Sequence, residues 1–237
     1  MQGRVLGADV WDGRWVGVVL EEGAAPRALV APTVAELVAR AEDGGPPLAV
    51  VGLDIPVGLQ DDAPRAADLA ARRVLGPRAS SVFATPVRAA LVAPDHAEAV
   101  RVSRAAIGAG VSVQAYGLRH RVLEVDGWVR AVGAEGAGGR RVVEVHPEVS
   151  FAAMDGGRPL AARKKSWAGA VRRRSLLAAH GVVLPDELGE AGAAAVDDVL
   201  DAAAVAWTAR RVARGEARSL PDPPERTPDG WDAAIWT

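Results

Sequence analysis

The chain has no cysteine among its 237 residues, which removes disulfides, zinc–thiolate sites and thiol nucleophiles together. That absence is compatible with a reducing cytosol. Nor does the sequence hold a run of about 18 uncharged apolar residues, so no membrane-spanning helix is expected. The N-terminal stretch Met-Gln-Gly-Arg-Val-Leu-Gly-Ala-Asp9 lacks the basic-then-apolar order of a secretory signal, and the protein is expected to be cytoplasmic. An excess of one charge is missing as well: 28 Lys and Arg face 30 Asp and Glu, for a formal net charge of −2. A surface coated in positive charge for sequence-independent duplex binding is thereby excluded, and any phosphate contact must be local. Lys, Ile and Asn are scarce where Ala and Arg abound, which reads as GC-rich codon bias, so helix propensity is discounted. Hydrophobic residues make up 49%, sufficient for the core of one large domain over residues 1–237.

Along the chain, Val5 to Trp11, Trp15 to Glu21 and Arg27 to Ala31 read as three strands, with Asp12-Gly13 as a hairpin turn between the first two. Thr33 with Glu36 forms a capping box for a helix from Val34 to about Glu42, and Gly44-Gly45-Pro46-Pro47 ends it. Leu48 to Asp54 is a continuous apolar run, the mark of a strand buried on both faces. Residues 57–139 read as a mainly helical insertion after this fourth strand, with helices from Pro64 to Leu75, Asp95 to Ala109 and Ser112 to Val132. Arg141 to Val145 is the next strand, Pro147 opens a short helix, and Ser166 to His180 is a helix closed by Gly181. A last helix runs from about Ala194 to Arg214. Residues 216–237, with Pro221, Pro223, Pro224 and Pro228, read as an irregular tail whose Trp231 and Trp236 dock on the surface. This order implies an α/β fold of the ribonuclease H-like kind, a mixed β-sheet flanked by helices.

Against this framework stand carboxylates in apolar surroundings. Asp197-Asp198-Val-Leu-Asp201-Ala-Ala-Ala-Val-Ala-Trp207 places three acids at the head of an otherwise apolar helix, while Asp9 and Asp54 each lie in an apolar strand. Such charges are costly beside a core unless neutralised. On a helix, positions 198 and 201 are about 60° apart and 197 and 201 about 40° apart. A shared Mg²⁺ or Mn²⁺ held by Asp9, Asp54, Asp198 and Asp201 is one explanation, with Asp198 and Asp201 preferred to Asp197. The alternative treats Asp197 and Asp198 as helix caps, Asp9 as a turn aspartate and Asp54 as a strand-end cap, which explains Asp201 poorly.

Three further groups have similar double readings. In Arg141-Val-Val-Glu144-Val-His146, period-two alternation puts Glu144 and His146 on one sheet face, where they assist the metal as ligand or proton shuttle. Alternatively, Glu144 pairs with Arg140 or Arg141 and His146 bonds locally. The stretch Arg163-Lys164-Lys165-Ser-Trp167 to Arg172-Arg173-Arg174 begins at a helix N-terminus, where cations call for an anion, and Trp167 beside it is placed to stack a base. The other reading is a solvated basic face with Trp167 in the core. Arg65-x-x-Asp68-x-x-x-Arg72, followed by Arg78, Ser80 and Ser81, suits phosphate or carboxylate recognition, or else a structural loop. Gln114 and Tyr116 lie near the head of the next helix.

Gly7-Ala-Asp9, Leu53-Asp54-Ile-Pro56-Val-Gly58-Leu, Arg72 to Phe83, Glu144-Val-His146-Pro147-Glu148, Lys164-Lys165 with Gly169, and Asp197-Asp198-Val-Leu-Asp201-Ala together resemble the family known as domain of unknown function 429. The resemblance spans nearly the whole chain. It implies a ribonuclease H-like fold and a nuclease activity that is itself a family-level inference from fold. The ribonuclease H enzymes also carry an acid on the first crossover helix, for which only Glu36 and Glu42 are available, so the resemblance is closer to resolvase-like members. The expected activity is metal-dependent phosphodiester hydrolysis on nucleic acid. Its expected catalytic residues are Asp9, Asp54, Glu144, His146, Asp198 and Asp201, with Arg78, Ser81, Lys164, Lys165 and Arg173 orienting a nucleic-acid or nucleotide phosphate. The alternatives are an enzyme acting on a nucleotide or small phosphorylated metabolite, and a non-catalytic binding module.

Overall fold

The computed structural model describes residues 3–132, 139–227 and 229–237. Strands β1 (Val5–Trp11) and β2 (Arg14–Leu20) pair antiparallel around Asp12-Gly13, both of which adopt the positive φ that a two-residue hairpin turn of right-handed twist requires. Strand β3 (Arg27–Ala31) adds antiparallel to β2. Helix α1 (Val34–Glu42) starts at the expected box: Thr33 Oγ1 accepts from the Glu36 amide and donates to the Glu36 carboxylate. The chain then returns as β4 (Val50–Leu53), parallel to β1, and the Asp54 amide extends the ladder to the Ala8 carbonyl.

The segment after β4 supplies α2 (Ala66–Leu75), a 3₁₀ turn at Gly76–Ser81, α3 (Arg88–Leu91), α4 (His96–Ile107), α5 (Val113–Gly117) and α6 (Arg119–Val132). The predicted single helix from Ser112 is thus two, divided at Leu118. Residues 133–138, at the end of the expected insertion, lie outside the described residues. Then come β5 (Arg141–Val145), α7 (Pro147–Met154), α8 (Trp167–Ala179) and α9 (Val196–Ala213).

The C-terminal segment corrects the expectation of an irregular tail. Strands β6 (Ser219–Arg226) and β7 (Asp232–Trp236) form an antiparallel hairpin, and β7 joins β5 in parallel. Prolines are tolerated because β6 is the sheet's last strand, so an N–H missing on its outer side breaks no ladder. Trp231 is buried rather than docked on the surface, and Trp236 stacks beneath the Arg141 guanidinium. Pro228 lies outside the described residues.

The result is a mixed seven-stranded sheet of order β3-β2-β1-β4-β5-β7-β6 with helices on both faces. Alternation sorts the two faces of the central strands. Leu6, Ala8, Val51 and Leu53 pack with α1 and α6, while Val5, Val50, Val143 and Val145 pack with α7, α8 and α9. On this second face Gly7 and Gly52 let α9 lie against the sheet: a Cβ on Gly7 would stand 2.0 Å from the Ala206 amide nitrogen and 2.4 Å from the Ala202 carbonyl. The alanines of α9 complete this close approach, which fixes where Asp201 reaches the sheet. Among the described residues, no helix is long and apolar enough to cross a membrane.

Candidate metal centre

Asp9 follows Gly7 by two residues and Asp54 follows Gly52 by two, so both carboxylates project towards α9 at the carboxyl ends of parallel neighbours. Asp201 comes down from α9 to meet them. One carboxylate oxygen from each of the three lies within 4.8 Å of the others. Asp9 is 7% exposed and Asp201 2%, with Asp54 half-buried.

Three acids so placed resist ionisation. Burial, then Asp54 and Asp201, raise Asp9 well above the usual carboxylate range, and burial followed by Asp201 does the same to Asp54. Burial pushes Asp201 up to about 6 even though Lys164 opposes it. The chain has two lysines, Lys164 and Lys165, and the first is drawn into this cluster. Its Nζ donates to Asp201 Oδ2 at 2.6 Å and lies 3.6 Å from Asp197 Oδ2. Burial alone would lower the Lys164 ammonium, but Asp201, Asp9 and Asp54 together outweigh it and hold the group above its ordinary value. Asp9 Oδ1 accepts from the Val10 amide, whereas Asp201 Oδ1 is buried with no partner. An unmatched buried acceptor in an all-oxygen donor set fits a hard divalent cation such as Mg²⁺ or Mn²⁺.

The triad opens on a cleft of about 440 Å³. Asp198, half-buried, lines it without being one of the three clustered acids, and burial followed by Asp197 raises its pKa. Asp197, the less favoured acid in the sequence, joins Asp201 in pairing with Lys164, at 3.6 Å. Phe83, Gln114 and Leu118 from the segment between β4 and β5 also line the cleft. His146 stands where β5 ends and lines the cleft too. Its Nε2 bonds the Ser81 carbonyl at 3.2 Å, so that nitrogen carries the proton and the buried Nδ1 is an unpartnered acceptor. Burial lowers the His146 pKa and keeps the ring neutral.

Several expected anion contacts have other partners. Arg78 lines the cleft, but its guanidinium donates to the carbonyls of Leu160 and Ala161, and Ser81 Oγ donates to the Arg78 carbonyl. Arg173 is buried against Glu148 and the carbonyls of Ala162 and Gly169, fixing the loop that carries Lys164. Lys165 is exposed and outside the cleft lining.

Glu144 is a correction. It is in register with Leu53, which is in register with Ala8, so its side chain leaves the sheet on the face opposite Asp9 and Asp54. There it accepts from the Val57 amide and pairs with Arg65, which also holds Asp68, Thr85 and the Val57 carbonyl. Burial raises the Glu144 pKa against the pull of Arg65. The partner is neither Arg140, which pairs with Glu42, nor Arg141, which pairs with Asp232. A lone glutamate in Val-Val-Glu-Val announces its need for a cation, yet only the tertiary fold selects Arg65, and the Arg65–Asp68 motif has the structural role. Glu36 caps α1 and Glu42 bonds the Leu48 amide, so no acid of the first crossover helix joins the cluster.

Among known families, one model, described as "Protein of unknown function (DUF429)", matches residues 7–226. The chain belongs to this family. Its matched span contains Asp9, Asp54, Asp201 and the whole cleft lining. No curated protein and no solved structure matches the chain.

Proposed function

We propose that this member of the family is a divalent-metal-dependent phosphodiesterase acting on nucleic acid, with a ribonuclease H-like fold. The observation that carries the reading is the meeting of Asp9, Asp54 and Asp201 from two parallel strand ends and the last helix, with one buried Asp201 oxygen unmatched. The strand order β3-β2-β1-β4-β5, antiparallel and then parallel, supports the fold assignment.

Asp9, Asp54 and Asp201 are the residues that would hold Mg²⁺ or Mn²⁺, and Asp198 extends the carboxylate set along the cleft. Bound there, such an ion supplies Lewis-acid stabilisation of a phosphoryl oxygen and favours a hydroxide nucleophile at neutral pH. His146 presents the neutral Nδ1 as a proton acceptor, its ring held by the Ser81 carbonyl. Lys164 lines the same cleft and is the donor for a phosphate oxygen.

The test is incubation of the chain with single-stranded, duplex and branched DNA and RNA, with Mn²⁺ or with chelator. Mn²⁺-dependent cleavage abolished by Asp9→Asn is expected. Failure to cut any of these polymers contradicts the reading. Thermal stabilisation by a nucleotide without polymer binding would transfer the site to a small phosphorylated metabolite.

A further inference from the structure

Trp167 stands neither in the core nor under another element: it is 86% exposed at the first turn of α8. It borders a groove of about 500 Å³ between α8 and α9, lined also by Val171, Val196 and Leu200. Val171 and Val196 are exposed themselves, so an apolar surface is presented to solvent. Groove and cleft are built from the same two stretches of chain. Lys164 in the cleft precedes Trp167 by three residues, and Asp198 in the cleft follows Val196 by two. Exposed Arg163 and Lys165 lie on that short connection.

A second aromatic lines the cleft itself. Phe83, half-buried, lines both the cleft and a separate pocket of about 510 Å³ that holds Ser80, Ser112 and Gln114. The carboxylate cleft therefore has one aromatic in its own lining and another three residues along the chain from its Lys164, each bordering a further recess.

An unpaired polynucleotide offers what this layout accepts, namely bases with open π-faces and a charge at every linkage. A duplex hides those faces and draws its affinity from a broad basic surface, which a chain of net charge −2 lacks. A mononucleotide fills the central cleft alone and leaves Trp167 without a role. Asp186 and Glu187, which also line the groove, repel phosphate, so a base rather than the backbone enters there.

We propose that the cleft receives an unpaired nucleic-acid strand, one base stacking on Trp167 between α8 and α9 and another meeting Phe83 in the cleft. This deepens the phosphodiesterase reading and rests on it for the placement of the scissile linkage. The experiment is fluorescence anisotropy of labelled single-stranded DNA and RNA of about 12 nucleotides, a length within the range such sites span, bound to the full chain in chelator so that nothing is cut. Trp167→Ala is expected to weaken binding about 5- to 150-fold, the effect of one lost stack, with Trp167→Phe retaining most of it. Trp167 is exposed, so its substitution leaves the fold intact; Phe83→Ala is expected to weaken binding in the same direction. Equal binding by wild type and Trp167→Ala overturns the proposal. So does tighter binding of duplex or mononucleotide than of the strand, or sedimentation showing a wild-type dimer that Trp167→Ala dissolves. Trp167-dependent binding without Mn²⁺-dependent cleavage would leave the strand site standing and remove the phosphodiesterase reading. Cleavage with no Trp167 dependence in binding would do the reverse.

Discussion

Asp201 accepts a 2.6 Å hydrogen bond from Lys164 on Oδ2, while its buried Oδ1 has no partner. Half of one carboxylate is neutralised by the chain's own cation and the other half is left for a ligand. The internal ammonium and an added divalent cation thus address the same acids.

Lys164→Met removes the cation nearest the three acids. Breaking a buried pair from one side costs about 3–5 kcal/mol, and because the Lys164 side chain is 36% exposed a loss of about 1–3 kcal/mol is expected here. Urea denaturation with and without Mn²⁺ checks this, and Mn²⁺ is expected to stabilise the variant more than the wild type.

The acids also set a pH dependence. Asp9, Asp54 and Asp201 have raised pKa values in the fold, so above about pH 4 the native state keeps protons that the unfolded chain has released, for Asp201 up to about pH 6. Their stabilising contribution is complete below about 4 and is lost as pH rises through the folded values. For Asp201 the change is on the order of 3 kcal/mol. Calorimetry of metal-free protein is expected to give a higher Tm at pH 5 than at pH 7 from these groups, and Mn²⁺, which takes the ionised acids, is expected to raise Tm more at pH 7.

The sequence made the carboxylate site legible because each acid interrupts a strong apolar pattern: Asp9 and Asp54 after β-type runs, Asp201 before an alanine run. Their order along the chain was enough to suggest convergence. The preference for Asp198 over Asp197 does not follow from helix angles, since the rotation of α9 about its axis is set by Gly7 and Gly52, contacts distant in sequence. Glu144 misled because alternation relates residues within one strand and is silent on register with β4. The β6–β7 hairpin was hidden by prolines that only an outer strand tolerates.

Gly7→Ala is expected to be severely destabilising, by about 3 kcal/mol or more, because the new methyl meets α9 backbone at 2.0 Å. Gly52→Ala is expected to cost less, as its nearest neighbour is the Val205 Cγ1 methyl at 2.9 Å. Denaturation midpoints of the two variants provide the comparison.

Glu144→Gln tests the separation of the two faces. With Arg65 left short of a buried partner, a loss of about 3 kcal/mol is expected, while the folded variant still binds Mn²⁺, read by calorimetric titration, with only the small change that removing a charge felt by Asp54 brings.

The most direct measurement is a crystal structure grown in Mn²⁺, with anomalous scattering recorded at the manganese edge. An anomalous peak among the carboxylates of Asp9, Asp54 and Asp201, with Lys164 moved off Asp201 Oδ2, is the expected result. A map without that peak, in which Lys164 still bonds Asp201 at saturating Mn²⁺, would contradict the metal centre.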